Sequence, residues 1–107
     1  MTYLEYHVLM ALADGPLHGY AVKQRVEAES DGSLTPPPGS LYRVIARLMA
    51  DGLVAETDPK GPVPPHPGLS RRYYVLTAAG RRELAAEARR LKGAAALAEK
   101  RLRTARP

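Results

Sequence analysis

Apolar residues recur along this chain at helical spacing, interrupted by two short runs rich in strand formers. Leu4, Val8, Ala11 and Leu12 follow i, i+4, i+7, i+8 spacing, which predicts a first helix over residues 3–14. Asp14-Gly15-Pro16 ends it, since glycine and proline stop helices. A second helix is expected from about His18 to Glu29, with Ala21, Val22 and Val26 facing inward, and Asp31-Gly32-Ser33 reads as a turn. Thr35-Pro36-Pro37-Pro38 leads into a third helix that runs to about Asp51. Proline suits the first helical position because the N–H it lacks would have no partner there. Leu41, Ile45 and Leu48 form the core stripe of this helix, joined by Val44, and Gly52 marks its stop.

Leu53-Val54-Ala55-Glu56-Thr57 and Arg71-Arg72-Tyr73-Tyr74-Val75-Leu76 are the strand candidates. Between them, residues 58–70 hold five prolines, so an extended loop closes a hairpin. One ring of Tyr73-Tyr74 is expected in the core and the other half exposed, because side chains alternate along a strand. Thr77 can cap a last helix, from Ala78 to about Arg103. Leu84, Ala88, Leu91, Ala95, Ala98 and Leu102 step by 4, 3, 4, 3, 4, a heptad seam. Such a stripe exceeds what a small domain can cover, so the seam predicts dimerisation, with help expected from Leu4 and Val8 of the first helix.

The predicted fold is mainly α with a small β-hairpin, a winged helix-turn-helix followed by a C-terminal dimerisation helix. The first domain spans 1–77 and the helix with its tail 78–107. In this arrangement the third helix enters the major groove and the hairpin loop lies against the flanking backbone.

Charge sharpens this only partly. The formal charge is +5 over 107 residues. Residues 1–56 hold four bases and seven acids, a balance of −3, while residues 57–107 hold twelve bases and four acids, a balance of +8. A basic excess favours anionic partners such as nucleic acid, yet most of it follows Arg81 rather than lying on the third helix. The chain has no cysteine, which excludes disulfides and thiolate metal sites. It has no run of about 20 apolar residues as a membrane span requires, and Met1-Thr2-Tyr3-Leu4-Glu5 lacks the basic start of a secretion signal. A cytoplasmic protein without membrane partners is expected.

The chemistry sits on the third helix. Ser40, Tyr42, Arg43 and Arg47 edge the apolar stripe, and Arg43 and Arg47 share a face one turn apart. Arginine forks reach guanine edges or phosphates, and hydroxyls reach phosphate oxygens. Further DNA-contact candidates are Tyr20 and Lys23 of the second helix, and Lys60, Arg71 and Arg72 in or beside the hairpin loop, where His66 also lies. Arg71 and Arg72 alternate, so at most one faces DNA. Gly19 would allow close helix packing, and His18 is expected to cap the turn before it. No nucleophile with an orienting base is visible, the three histidines are not at ligand spacing with carboxylates, and no phosphate-cradling glycine loop occurs. An enzyme, a metal site and a cofactor are therefore not expected. A protein-interaction module that keeps the fold without binding DNA is the alternative.

Three ordered segments resemble the PadR family of transcriptional regulators. They are Leu17-His18-Gly19-Tyr20; Gly39-Ser40-Leu41-Tyr42 with Arg47-Leu48 and Asp51-Gly52-Leu53-Val54; and Arg72-Tyr73-Tyr74-Val75-Leu76-Thr77 with Gly80-Arg81. The resemblance covers residues 3 to about 82, and the short tail is similar to the branch with a single C-terminal helix. It implies a dimeric repressor of promoter DNA, held together mostly by the C-terminal helix. It also implies DNA contacts from Ser40, Tyr42, Arg43 and the wing. Arg43 stands where many members carry proline, which adds a base reader, and the wing is unusually long and proline-rich. Some members sense phenolic or flat aromatic compounds, in some cases at the dimer interface. Here no aromatic residue follows Tyr74, so the last helix offers no stacking pocket, and a small-molecule effector is unidentified.

Overall fold

The computed structural model describes residues 1–57 and 72–105. Its elements are α1 (Tyr3–Ala11), β1 (Leu17–His18), α2 (Gly19–Glu29), α3 (Pro38–Ala50), β2 (Val54–Thr57), β3 (Tyr73–Leu76) and α4 (Ala78–Thr104). The helices and hairpin strands stand where the periodicity places them. The proline-rich segment, with Lys60, His66 and Arg71, lies outside the described residues.

Local signals explain each helix end. Thr2 and Glu5 form a reciprocal capping box at α1: Glu5 N–H donates to Thr2 Oγ1 at 3.1 Å and Thr2 N–H to Glu5 Oε1 at 2.7 Å. Helix α1 stops at Ala11, three residues before the expected Asp14. His18 caps α2, its Nδ1 accepting from Ala21 N–H at 3.2 Å. Helix α3 begins on Pro38 and ends in a Schellman turn, with Gly52 at φ 76° and Leu53 N–H donating to Leu48 C=O at 2.9 Å. Thr77 caps α4, accepting from Gly80 N–H at 3.0 Å while its hydroxyl donates to Gly52 C=O at 2.7 Å.

The strands form a three-stranded antiparallel sheet in the order β1-β3-β2. From the sequence only the hairpin is expected. The third strand is two residues long, Leu17 opposite Tyr74 and His18 opposite Tyr73, too short to show a periodicity. In the hairpin, Val54 stands opposite Leu76 and Glu56 opposite Tyr74.

A single core joins these elements. Val8, Leu9 and Leu12 of α1 meet Val22 and Val26 of α2, Leu41, Ile45 and Leu48 of α3, and Val54, Tyr74 and Leu76 of the sheet. Tyr74 is the inward ring and Tyr73 the half-buried one. Val8 is 0% exposed, so its expected part in dimerisation is corrected: it has no surface to offer a second chain. The physical reason is that α1 packs on α2, α3 and α4, so its i, i+4 stripe is consumed within the chain. Leu4 and Leu84 are half-buried against the same core.

Gly80 is fixed by a close approach. A Cβ there would overlap the Leu53 carbonyl oxygen and stand 2.7 Å from Leu76 Cδ1. That contact seats the start of α4 against the chain just before β2. Beyond Ala88, every described residue of α4 is exposed.

Candidate nucleic-acid interface

Helix α3 buries one edge and leaves the rest to solvent. At about 100° per residue, Leu41, Ile45 and Leu48 fall within a narrow arc. Arg43, Ala46, Arg47 and Ala50 occupy the opposite arc, and all four are exposed. Neither Arg43 nor Arg47 forms an ion pair with a described residue. Arg47 lies toward the first turn of α1. Glu5 is held below the ordinary glutamate value chiefly by the Thr2 backbone N–H, with burial opposing, and the Thr2 hydroxyl and then the Arg47 charge adding to the lowering. Ser40 is half-buried at the N-terminal turn of α3.

Tyr42 flanks this face and is 43% exposed. Its ring lies over Gly19: a Cβ at that position would stand 2.5 Å from Tyr42 Oη and 2.8 Å from Cε1. The absent side chain of Gly19 thus sets where the Tyr42 hydroxyl points. Next to it, Tyr20 is 56% exposed and its ring stacks parallel to His18 at 6.5 Å. Gly19 and Tyr20 open α2, so two tyrosine hydroxyls flank the start of one helix.

The remaining candidates are more occupied. Lys23 Nζ is paired with Glu27 Oε1 at 2.9 Å on the same helix, so a phosphate would compete with that carboxylate. Arg72 meets Glu56 at 3.6 Å across the hairpin. Arg25 and Arg81 are engaged at the surface near the end of α1: Arg25 donates to Ala11 C=O at 3.2 Å and Arg81 to Ala13 C=O at 3.1 Å. Among the described residues no cluster of histidine and carboxylate side chains could hold a metal ion, and no helix is long and apolar enough to cross a membrane.

A groove of about 420 Å³ between α3 and the hairpin goes beyond the sequence reading. Ile45 and Tyr74, both buried, form its floor. Met49, Glu56 and Arg72 line its sides, and Tyr42 and Ala46 stand at its lip on the outward face of α3. Burial pushes the Tyr74 phenol above its ordinary value, with Tyr42 and Glu56 acting the same way and Arg72 opposing, so it stays protonated at neutral pH. Strand alternation and the hairpin register, which set Glu56 opposite Tyr74, are the signals from which this wall follows.

On the seam, Leu91 is 38% and Leu102 77% exposed, with Ala95 and Ala98 also open. Leu97, off the seam, is exposed as well.

The transcriptional regulator PadR-like family matches residues 8–86. A protein described as an uncharacterized 37.1 kDa protein in transposon TN4556 of Streptomyces fradiae is 47% identical over 81 residues, which is 76% of this chain. The chain spans only 21% of the length of that relative. Among solved structures, a PadR family transcription regulator from Clostridium difficile superposes with a TM-score of 0.75 at 17% identity, covering 94% of this chain and 99% of the other. Bacillus subtilis PadR in complex with operator DNA superposes with a TM-score of 0.64 at 24% identity, covering 79% of this chain and 46% of the other. At these identities the structures establish the winged helix-turn-helix fold, while the match over 8–86 runs from within α1 to the first turns of α4. The chain belongs to the PadR-like family of transcriptional regulators.

Proposed function

We propose that this chain is a cytoplasmic, sequence-specific DNA-binding repressor that acts as a homodimer. The observation that carries the reading is the outward arc of α3, where Arg43 and Arg47 stand exposed and unpaired with any described residue on a helix otherwise anchored by Leu41, Ile45 and Leu48. A structural relative, Bacillus subtilis PadR, has been solved with operator DNA, which supports the same use of this fold here. Arg43 offers a fork to a base edge, Arg47 a charge to the backbone, and the Ser40, Tyr42 and Tyr20 hydroxyls donate to phosphates. Lys23, Lys60 and one of Arg71 and Arg72 contribute backbone contacts.

Association runs through the open seam of α4, at Ala88, Leu91, Ala95, Ala98 and Leu102. The helix spans 27 residues, about 40 Å at 1.5 Å per residue, long enough to carry a contact beyond the domain. Two copies of α3 then enter successive major grooves, with half-sites about 34–36 Å apart or a multiple of it. An effector that releases DNA has no site assigned by the described residues.

The test is binding to the promoter fragment upstream of the gene at several salt concentrations. Affinity is expected to fall with a log–log slope of about −0.9 per neutralised phosphate. Replacing Arg43 by Ala should cost roughly 1–3 kcal/mol and relax selectivity at one base pair. No shift of any duplex at low salt would leave a protein-interaction module as the reading.

A further inference from the structure

We infer that Ala46 is a specificity residue that reads a thymine through its C5 methyl group, about one base pair from the contact made by Arg43. The inference deepens the DNA-binding reading above and rests on it. Ala46 follows Arg43 by three residues, so the two lie about 60° apart on the helix and about 4.5 Å apart along it. That rise is close to the ~3.4 Å step between base pairs. Ala46 is exposed, and its side chain neither donates nor accepts a hydrogen bond.

Its surroundings select the same partner. Ala46 and Tyr42 form the lip of the groove beside α3, with Met49 beneath them and Ile45 at the floor. The charges near it, Glu56 and Arg72, already face each other at 3.6 Å. A phosphate would meet the Glu56 carboxylate there and gain little net attraction. In the major groove the thymine methyl is the one apolar group a base pair presents, and alanine is among the side chains that meet it. Small outward residues on both sides, Gly39 and Ala50, let the helix approach the base edges closely.

The experiment uses the full chain to select a duplex from a randomised pool, then replaces each thymine of that duplex by deoxyuridine, which removes only the methyl group. One position per half-site is expected to weaken binding about fourfold, the weight of one buried methyl. In Ala46→Gly the thymine and deoxyuridine forms should bind alike at that position. Should Ala46→Gly lose its helical circular dichroism, Ala46→Ser, which replaces the methyl surface with a hydroxyl, is expected to give the same levelling. No deoxyuridine that weakens binding, or a weakening that persists in both variants, would overturn the role of Ala46 while leaving DNA binding intact. Failure to select any duplex at low salt would instead overturn the DNA reading on which it stands.

Discussion

Replacing Gly19 by Ala isolates the role of Tyr42 without touching it. The new methyl would stand 2.5–2.9 Å from three atoms of the Tyr42 ring. Carbon atoms in comfortable contact lie about 3.5–4.0 Å apart, so the ring must retreat by roughly 1 Å. It is free to do so, because the ring is half exposed and the atoms met are its far end. Stability should therefore change little. Alanine at the first helical position gains up to about 0.5–1 kcal/mol over glycine, which offsets the lost ring packing. DNA affinity should respond more. If Tyr42 Oη donates to a phosphate, its displacement forfeits a bond to a charged group, about 1.5–3 kcal/mol, or at least tenfold in affinity. The salt slope should stay as it was, since no cation has been removed. Fluorescence anisotropy on an operator duplex measures both quantities, and thermal unfolding measures stability. In a Tyr42→Ala background the effect of Gly19→Ala on binding should vanish. Undiminished affinity in Gly19→Ala, or a stability loss beyond about 2 kcal/mol, would refute the reasoning.

At Gly80 the same substitution should behave oppositely, because the added Cβ meets backbone. The Leu53 carbonyl cannot withdraw without breaking its bond from Thr77 N–H at 3.1 Å. Gly80→Ala is expected to cost about 1–3 kcal/mol, and the midpoint of thermal unfolding should drop by roughly 4–8 °C for each of them. Thr2→Ala removes half of the capping box and should cost about 1 kcal/mol at neutral pH. Glu5 is held below the ordinary glutamate value, so its contribution is full above that value and disappears as pH falls through the lowered one. Wild-type stability should accordingly fall relative to Glu5→Gln on acidification, as followed by denaturant unfolding across pH; a constant difference would refute the coupling. Ala95→Glu places a carboxylate on the seam at a position exposed in the single chain. Sedimentation should show a shift to monomer with the helical signal unchanged, and an unchanged mass would rule the seam out.

Elements with long periodic stretches were legible in the sequence, and those fixed by tertiary contact were not. The stripe Leu41, Ile45, Leu48 announces α3 and with it the outward placement of Arg43 and Arg47. Strand β1 is invisible because two residues, Leu17 and His18, carry no period, and they pair only because β3 passes beside them. Val8 shows the complementary failure. Spacing puts it on a stripe with Leu4, but spacing cannot tell whether the chain or a second copy covers that stripe. The groove at Ala46 stayed hidden for a similar reason: it exists only where α3 and the hairpin register bring Met49 and Glu56 together.

Charge placement resolves the conflict between an acidic N-terminal half and a DNA-binding reading. Residues 1–56 sum to −3, which taken as a bulk quantity opposes approach to phosphate. Four of the seven acids there are engaged, however. Glu5 is bound into the α1 cap, Asp14 meets Arg25 at 3.2 Å, Glu27 meets Lys23 at 2.9 Å and Glu56 faces Arg72 at 3.6 Å. What remains on the outward arc of α3 is Arg43 and Arg47. At about 0.15 M salt the screening length is roughly 8 Å, so a phosphate at this arc responds to the nearest charges and hardly to the sum. The local pattern, with two cations outward on one helix and no carboxylate on the same arc, therefore decides the sign of the interface. Neutralising Asp14 should leave operator affinity nearly unchanged at that salt, whereas neutralising Arg43 or Arg47 should not.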